Sequence, residues 1–103
     1  MYKLVFFVPE ANLEDVKQAV FATGAGRIGN YQQCCWQTQG EGQFLPLSGA
    51  DPHIGQLGAL ERLMEYRVEL VCDDTLIKQA VSAMKQAHPY EEPAYDVWRL
   101  ADL

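Results

Sequence analysis

The run Tyr2-Lys3-Leu4-Val5-Phe6-Phe7-Val8 is β-branched and aromatic and stops at Pro9, which predicts a buried strand. Leu13, Val16, Ala19 and Val20 then recur at helical spacing. Asn12 as N-cap with Asp15 behind it starts this helix, and Gly24 is placed to stop it in a left-handed cap. Gly24, Gly26 and Gly29 make residues 24–30 a tight connection. Tyr31 to Thr38 reads as a strand, Gly40-Glu41-Gly42 as a turn and Gln43 to Leu47 as a short return strand, together a β-hairpin. Ser48 to Gly58, with three glycines and Pro52, is expected to be an irregular loop. Leu60 to Cys72 carries alternating apolar positions and reads as a long strand, bent at its start. Asp73 or Asp74 is expected to cap a second helix, whose face is Ile77, Ala80, Val81, Met84 and His88 and which Pro89 ends. Ala94 to Leu100 is the last strand.

With the hairpin taken as an appendage, the order reduces to βαββαβ, an α+β, ferredoxin-like split βαβ fold with an extra β-hairpin. Two helices on one side of a single sheet leave the other side bare, and that side must be covered by something.

The chain has 103 residues, 49% of them hydrophobic, which suits one domain over residues 1–103 with no room for a second. The formal charge of −6, with no basic run, argues against nucleic acid as a partner. Leu4 to Val8 is too short for a secretory signal core or a membrane span, so a cytoplasmic location and no membrane partner are expected. Three cysteines, Cys34, Cys35 and Cys72, cannot all pair within one chain, which fits reduced thiols. No zinc signature, phosphate loop or nucleophile elbow is present.

The candidate chemistry gathers at Ala87-His88-Pro89-Tyr90-Glu91-Glu92. His88 reads either as a cation at the negative end of the second helix or as a metal ligand beside Glu91 and Glu92. Cys34 and Cys35 are small buried hydrophobes in one reading and soft thiolate ligands in the other. The metal candidates are thus His88, Glu91, Cys34 and Cys35, with zinc or copper as the cofactor such donors admit. Tyr90 beside Glu91 and Glu92, with His53 from the glycine-rich loop, makes the candidate ligand site. No complete set of nucleophile, base and orienter is read, so no catalytic residue is assigned.

Three segments carry a resemblance in combination: Gly24-Ala25-Gly26-Arg27-Ile28-Gly29-Asn30-Tyr31, Gly49-Ala50-Asp51-Pro52-His53-Ile54-Gly55, and Ala87-His88-Pro89-Tyr90-Glu91-Glu92-Pro93-Ala94-Tyr95-Asp96. Over residues 4–100 the sequence resembles the domain inserted in longer members of the Nif-three-like family, also called YqfO-type proteins or GTP cyclohydrolase I type 2 homologues. The resemblance implies a stand-alone copy of that insert, with a PII/CutA-like fold that assembles as a homotrimer. The family's di-metal site lies in flanking domains, so no hydrolase activity carries over. The function expected is a non-enzymatic trimer that binds a small ligand or divalent metal ion between subunits, in a regulatory or accessory role. Two alternatives stand beside it: an oligomerisation or protein-interaction module without a small ligand, and an enzyme using His88 with Glu91 or Glu92.

Overall fold

The computed structural model describes all residues from Met1 to Leu103. Four strands and two helices follow in the order β1 (Tyr2–Pro9), α1 (Leu13–Phe21), β2 (Trp36–Phe44), β3 (Glu61–Cys72), α2 (Ile77–Ala87) and β4 (Tyr95–Arg99). The sheet order is β2-β3-β1-β4, antiparallel at every pairing. This is the expected ferredoxin-like arrangement.

Strand alternation divides the side chains of β1 cleanly. Leu4, Phe6 and Val8 join Val68, Leu70 and Cys72 of β3 beneath Leu13, Val16 and Val20 of α1 and Ala80 and Met84 of α2. Leu4, Phe6, Val16, Val20, Ala80 and Met84 are fully buried, so one contiguous core holds both helices to one side of the sheet. The opposite side, carrying Val5, Phe7, Arg67, Glu69, Val71, Trp36, Asp96 and Trp98, has no helix or strand of this chain over it, and Val5 at its centre is buried by neighbouring side chains alone. Trp36 is 69% exposed and Trp98 43%.

The middle of the chain departs from the sequence reading. Gly40-Glu41-Gly42 does not turn; it runs straight through β2, opposite Glu65, Met64 and Leu63. Residues before Trp36 are irregular, with an isolated bridge between Ile28 and Tyr31, so Tyr31 to Cys35 does not belong to the strand. The hairpin expected within residues 31–47 is instead the long β2–β3 pair itself. Its far end, Glu41 to Phe44 against Glu61 to Met64, overhangs β1, whose pairing with β3 stops at Pro9 opposite Glu65. Glycine propensity for turns gave way here to a nine-residue register with β3.

Helix starts also differ in detail. Asn12 occupies the N-cap position of α1 without a side-chain cap, after a turn of 3-10 helix at Glu10–Asn12. Asp73 does not cap α2, whose N-cap is Leu76. Its carboxylate accepts from the Thr75 amide and hydroxyl, both at 2.8 Å, in an Asx turn leading into the helix.

After α1 the chain turns through Gly24 at φ +97°, as the helix stop requires. Gly26, at φ +83°, is the more constrained position. Its amide donates to the Val71 carbonyl at 2.8 Å and its carbonyl accepts from the Cys34 amide at 2.8 Å. A Cβ there would lie 2.9 Å from the Phe21 ring and 3.1 Å from the Cys34 carbonyl oxygen. Gly24→Ala is expected to cost about 1 kcal/mol and Gly26→Ala about 2 kcal/mol or more, because only the second adds a backbone clash to the φ penalty. Urea denaturation checks the order; equal midpoints for the two variants would show that the 24–34 connection yields freely.

Candidate functional site

The end of the sheet where β1 stops is shaped by Phe7. Its amide donates to the Ala94 carbonyl at 3.2 Å, and its carbonyl accepts from His88 Nε2 at 2.7 Å. One residue of β1 thus pins both ends of the segment from His88 to Ala94, which bulges outward between them. His88 also accepts at Nδ1 from the Tyr90 amide at 3.1 Å. With Nδ1 accepting, the ring proton sits on Nε2 and both nitrogens are committed in the neutral tautomer.

His88 is 7% exposed, and burial pushes its pKa below the ordinary 6.5, outweighing the bond to Phe7 that favours the proton; nearby His53 lowers it further. The residue is therefore a neutral tether, not a cation at the end of α2. In this arrangement its ring offers no free lone pair to a metal.

The pinned segment presents Tyr90 outward from the His88 ring, the two centroids 4.9 Å apart. Phe44, at the tip of β2, stands 6.1 Å from Tyr90, and His53 of the glycine-rich loop 6.2 Å from it. The Tyr90 hydroxyl donates to Glu65 Oε2 at 3.2 Å, and burial, followed by the Glu65 charge, raises its pKa well above the usual range. Glu91 accepts from the Asp51 amide at 3.0 Å, which ties the loop to the segment. These groups line a cleft of 760 Å³, within the span typical of small-molecule sites.

The position of Glu65 depends on an absence across the strand. A Cβ on Gly42 would fall 1.8 Å from Glu65 Oε1, so the carboxylate lies over the bare backbone of β2. Gly42, misread as part of a turn, is the residue that lets β3 deliver a carboxylate to the cleft.

The structure brings His53, Tyr90, Glu91 and Glu92 to this one cleft. Cys34 and Cys35 lie elsewhere. The Cys34 amide bonds to Gly26, which bonds to Val71 opposite Lys3, whereas His88 bonds to Phe7. Four strand residues, roughly 13 Å, separate those levels along β1. The thiols and the imidazole are therefore at opposite ends of the sheet and cannot share an ion. More generally, no three His, Cys, Asp and Glu side chains converge as metal ligands. The proposed donors do not fit zinc or copper as a set. Cys35 packs against the core instead.

Phe7, Phe44 and Glu65 are cleft residues that the sequence reading missed. They come from two strands and a strand tip far apart in the chain, and no local spacing marks them.

No family model matches the chain. It is 49% identical over 98 residues to the GTP cyclohydrolase 1 type 2 homolog of Mycobacterium bovis, covering 95% of this chain and 26% of that protein. The homolog from Halalkalibacterium halodurans is 44% identical over 102 residues, covering 99% and 27%. The chain thus spans about a quarter of the length of the curated relatives it matches. The crystal structure of a Bacillus cereus protein related to NIF3 superposes with TM-score 0.84 at 42% identity, covering 98% of this chain and 26% of that one. CutA1 from Pyrococcus horikoshii matches at TM-score 0.71 and 16% identity, covering 100% of this chain and 86% of its own, a likeness of fold.

Proposed function

We propose that this chain, homologous over nearly its whole length to one segment of the GTP cyclohydrolase 1 type 2 homologs, is a non-enzymatic module that assembles as a trimer and binds a small ligand at its subunit boundaries. The supporting observation is the placement of the cleft. It opens at the margin of the uncovered sheet face, where Phe7, Phe44 and Glu65 belong to that face and His53, Tyr90 and Glu91 to the loops beside it. A neighbouring copy packed on the face would close the cleft from its open side. The face suits a second copy in charge as well, since Lys3 and Arg67 alternate there with Glu69 and Asp96.

The same geometry weakens the enzymatic alternative. A general base needs a free lone pair within reach of substrate, and both nitrogens of His88 are bonded to backbone. A regulatory or accessory role follows from a module that binds without turnover, and the CutA likeness in fold agrees with it. One archaeal protein of this fold is described as a periplasmic divalent cation tolerance protein; here a small molecule in the cleft is favoured over an ion, because no ligand set for one converges. Light scattering coupled to size exclusion is expected to give the mass of three chains of 11.6 kDa each. A monomer that persists at micromolar concentration overturns the assembly and the boundary site together.

A further inference from the structure

We infer that the cleft selects a small organic cation, an amine or quaternary ammonium compound. This rests on the reading that the cleft is a ligand site and names the class it takes. Charge comes first. The lining carries Glu65, Glu91 and Glu92 and not one lysine or arginine, in a cleft of 760 Å³. An anionic nucleotide or phosphate would enter against three carboxylates with no lysine, arginine or helix N-terminus to receive it.

The walls supply the second, independent argument. Tyr90 is the hub of an aromatic group, with Phe44 tilted 57° to it at 6.1 Å and His53 tilted 49° at 6.2 Å. Rings set at such angles around one space present π faces and edges to it, the arrangement that holds ammonium groups within about 6 Å of a ring centroid. Neutral His88 behind Tyr90 adds no opposing charge. The two guanidiniums on neighbouring β3 are already engaged: Arg67 lies 5.7 Å over the Phe7 ring and pairs with Glu69 at 3.0 Å, and Arg62 donates to Gln43 at 3.1 Å.

The carboxylates complete the fit in different ways. Glu65 spends Oε2 on the Tyr90 hydroxyl, while Oε1 lies over Gly42 with no donor of its own in the chain. Glu91 is held by the Asp51 amide, which fixes it at the loop side of the cleft. A metal ion would need three such donors around one point, and they do not converge. A diffuse organic cation needs only aromatic faces and carboxylates at a few ångströms.

The test is nuclear magnetic resonance titration of the whole chain, separately with choline, spermidine, adenosine triphosphate and zinc chloride. Choline or spermidine is expected to shift the amides of Phe44, His53 and Tyr90 saturably. Glu65→Gln, which keeps an acceptor for Tyr90, and Glu92→Gln are each expected to weaken that binding about three- to fivefold. Added salt should weaken it further in the parent. If zinc or the nucleotide moves these amides and neither organic cation does, the cation class is overturned and the wider ligand-binding reading stands. If none of the four moves them while the chain is trimeric, both fall.

Discussion

His88→Ala is expected to lower stability by on the order of 3 kcal/mol at pH 8. The substitution leaves the Phe7 carbonyl and the Tyr90 amide without partners and opens a cavity beneath Tyr90. The parent carries a further signature in pH. The folded state holds His88 with its pKa below the unfolded value of 6.5, so above that pH both states are neutral there and stability is level. As pH falls below 6.5 the unfolded chain takes the proton first, and stability drops until the depressed folded pKa is passed. The variant lacks this component, so its decline over the same interval is expected to be shallower. Urea midpoints measured from about pH 8 to about pH 5 decide the matter. A parent curve no steeper there than the variant's would mean that His88 is not held neutral.

Local pattern was enough for the core because the core follows period. Leu4, Phe6 and Val8 alternate, and Val16, Val20, Ala80 and Met84 fall on inward helix faces, so burial could be inferred from spacing alone. The glycine at φ +97° after α1 was legible for the same reason: a helix end demands it locally. Strand β2 was not legible. Most of Trp36–Phe44 is exposed, and its two glycines favour turns, so nothing within it announces a strand. Its order comes from nine residues of pairing with β3, information that lies some 25 residues away in sequence.

The cleft divides along the same line. Tyr90, Glu91 and Glu92 are neighbours and were visible together, and His53 was visible as a loop histidine. Glu65 and Phe44 were hidden in strands whose register had not been established. The grouping of Cys34 and Cys35 with His88 failed because residue type says nothing about which end of a sheet a loop reaches. The role of His88 failed differently: its helix-end position suggested a charge, whereas its burial and two backbone bonds make it a neutral tie.

The double variant Trp36→Glu with Trp98→Glu is expected to convert the proposed trimer to a folded monomer. Trp36 lies on β2 opposite Glu69 and Trp98 on β4 opposite Lys3, at the two edges of the uncovered face. Trp36 is 69% exposed and Trp98 43%, so the single chain is expected to lose about 1–2 kcal/mol and stay folded. Between copies the balance reverses. Buried tryptophans are among the strongest interface residues, each worth about 2 kcal/mol or more, and a glutamate in place of either brings a charge into a desolvated contact. Trp36→Glu also sets a second carboxylate opposite Glu69, so the variant face repels its own copies. Together the two changes should weaken association by about a hundredfold per contact or more, enough to separate the chains at micromolar concentration. Size exclusion with light scattering and far-ultraviolet circular dichroism read the two consequences separately. A three-chain mass retained by the variant would place the interface elsewhere, on the exposed strand edges instead of this face; loss of the circular dichroism signal would show that the tryptophans support the fold of the single chain after all.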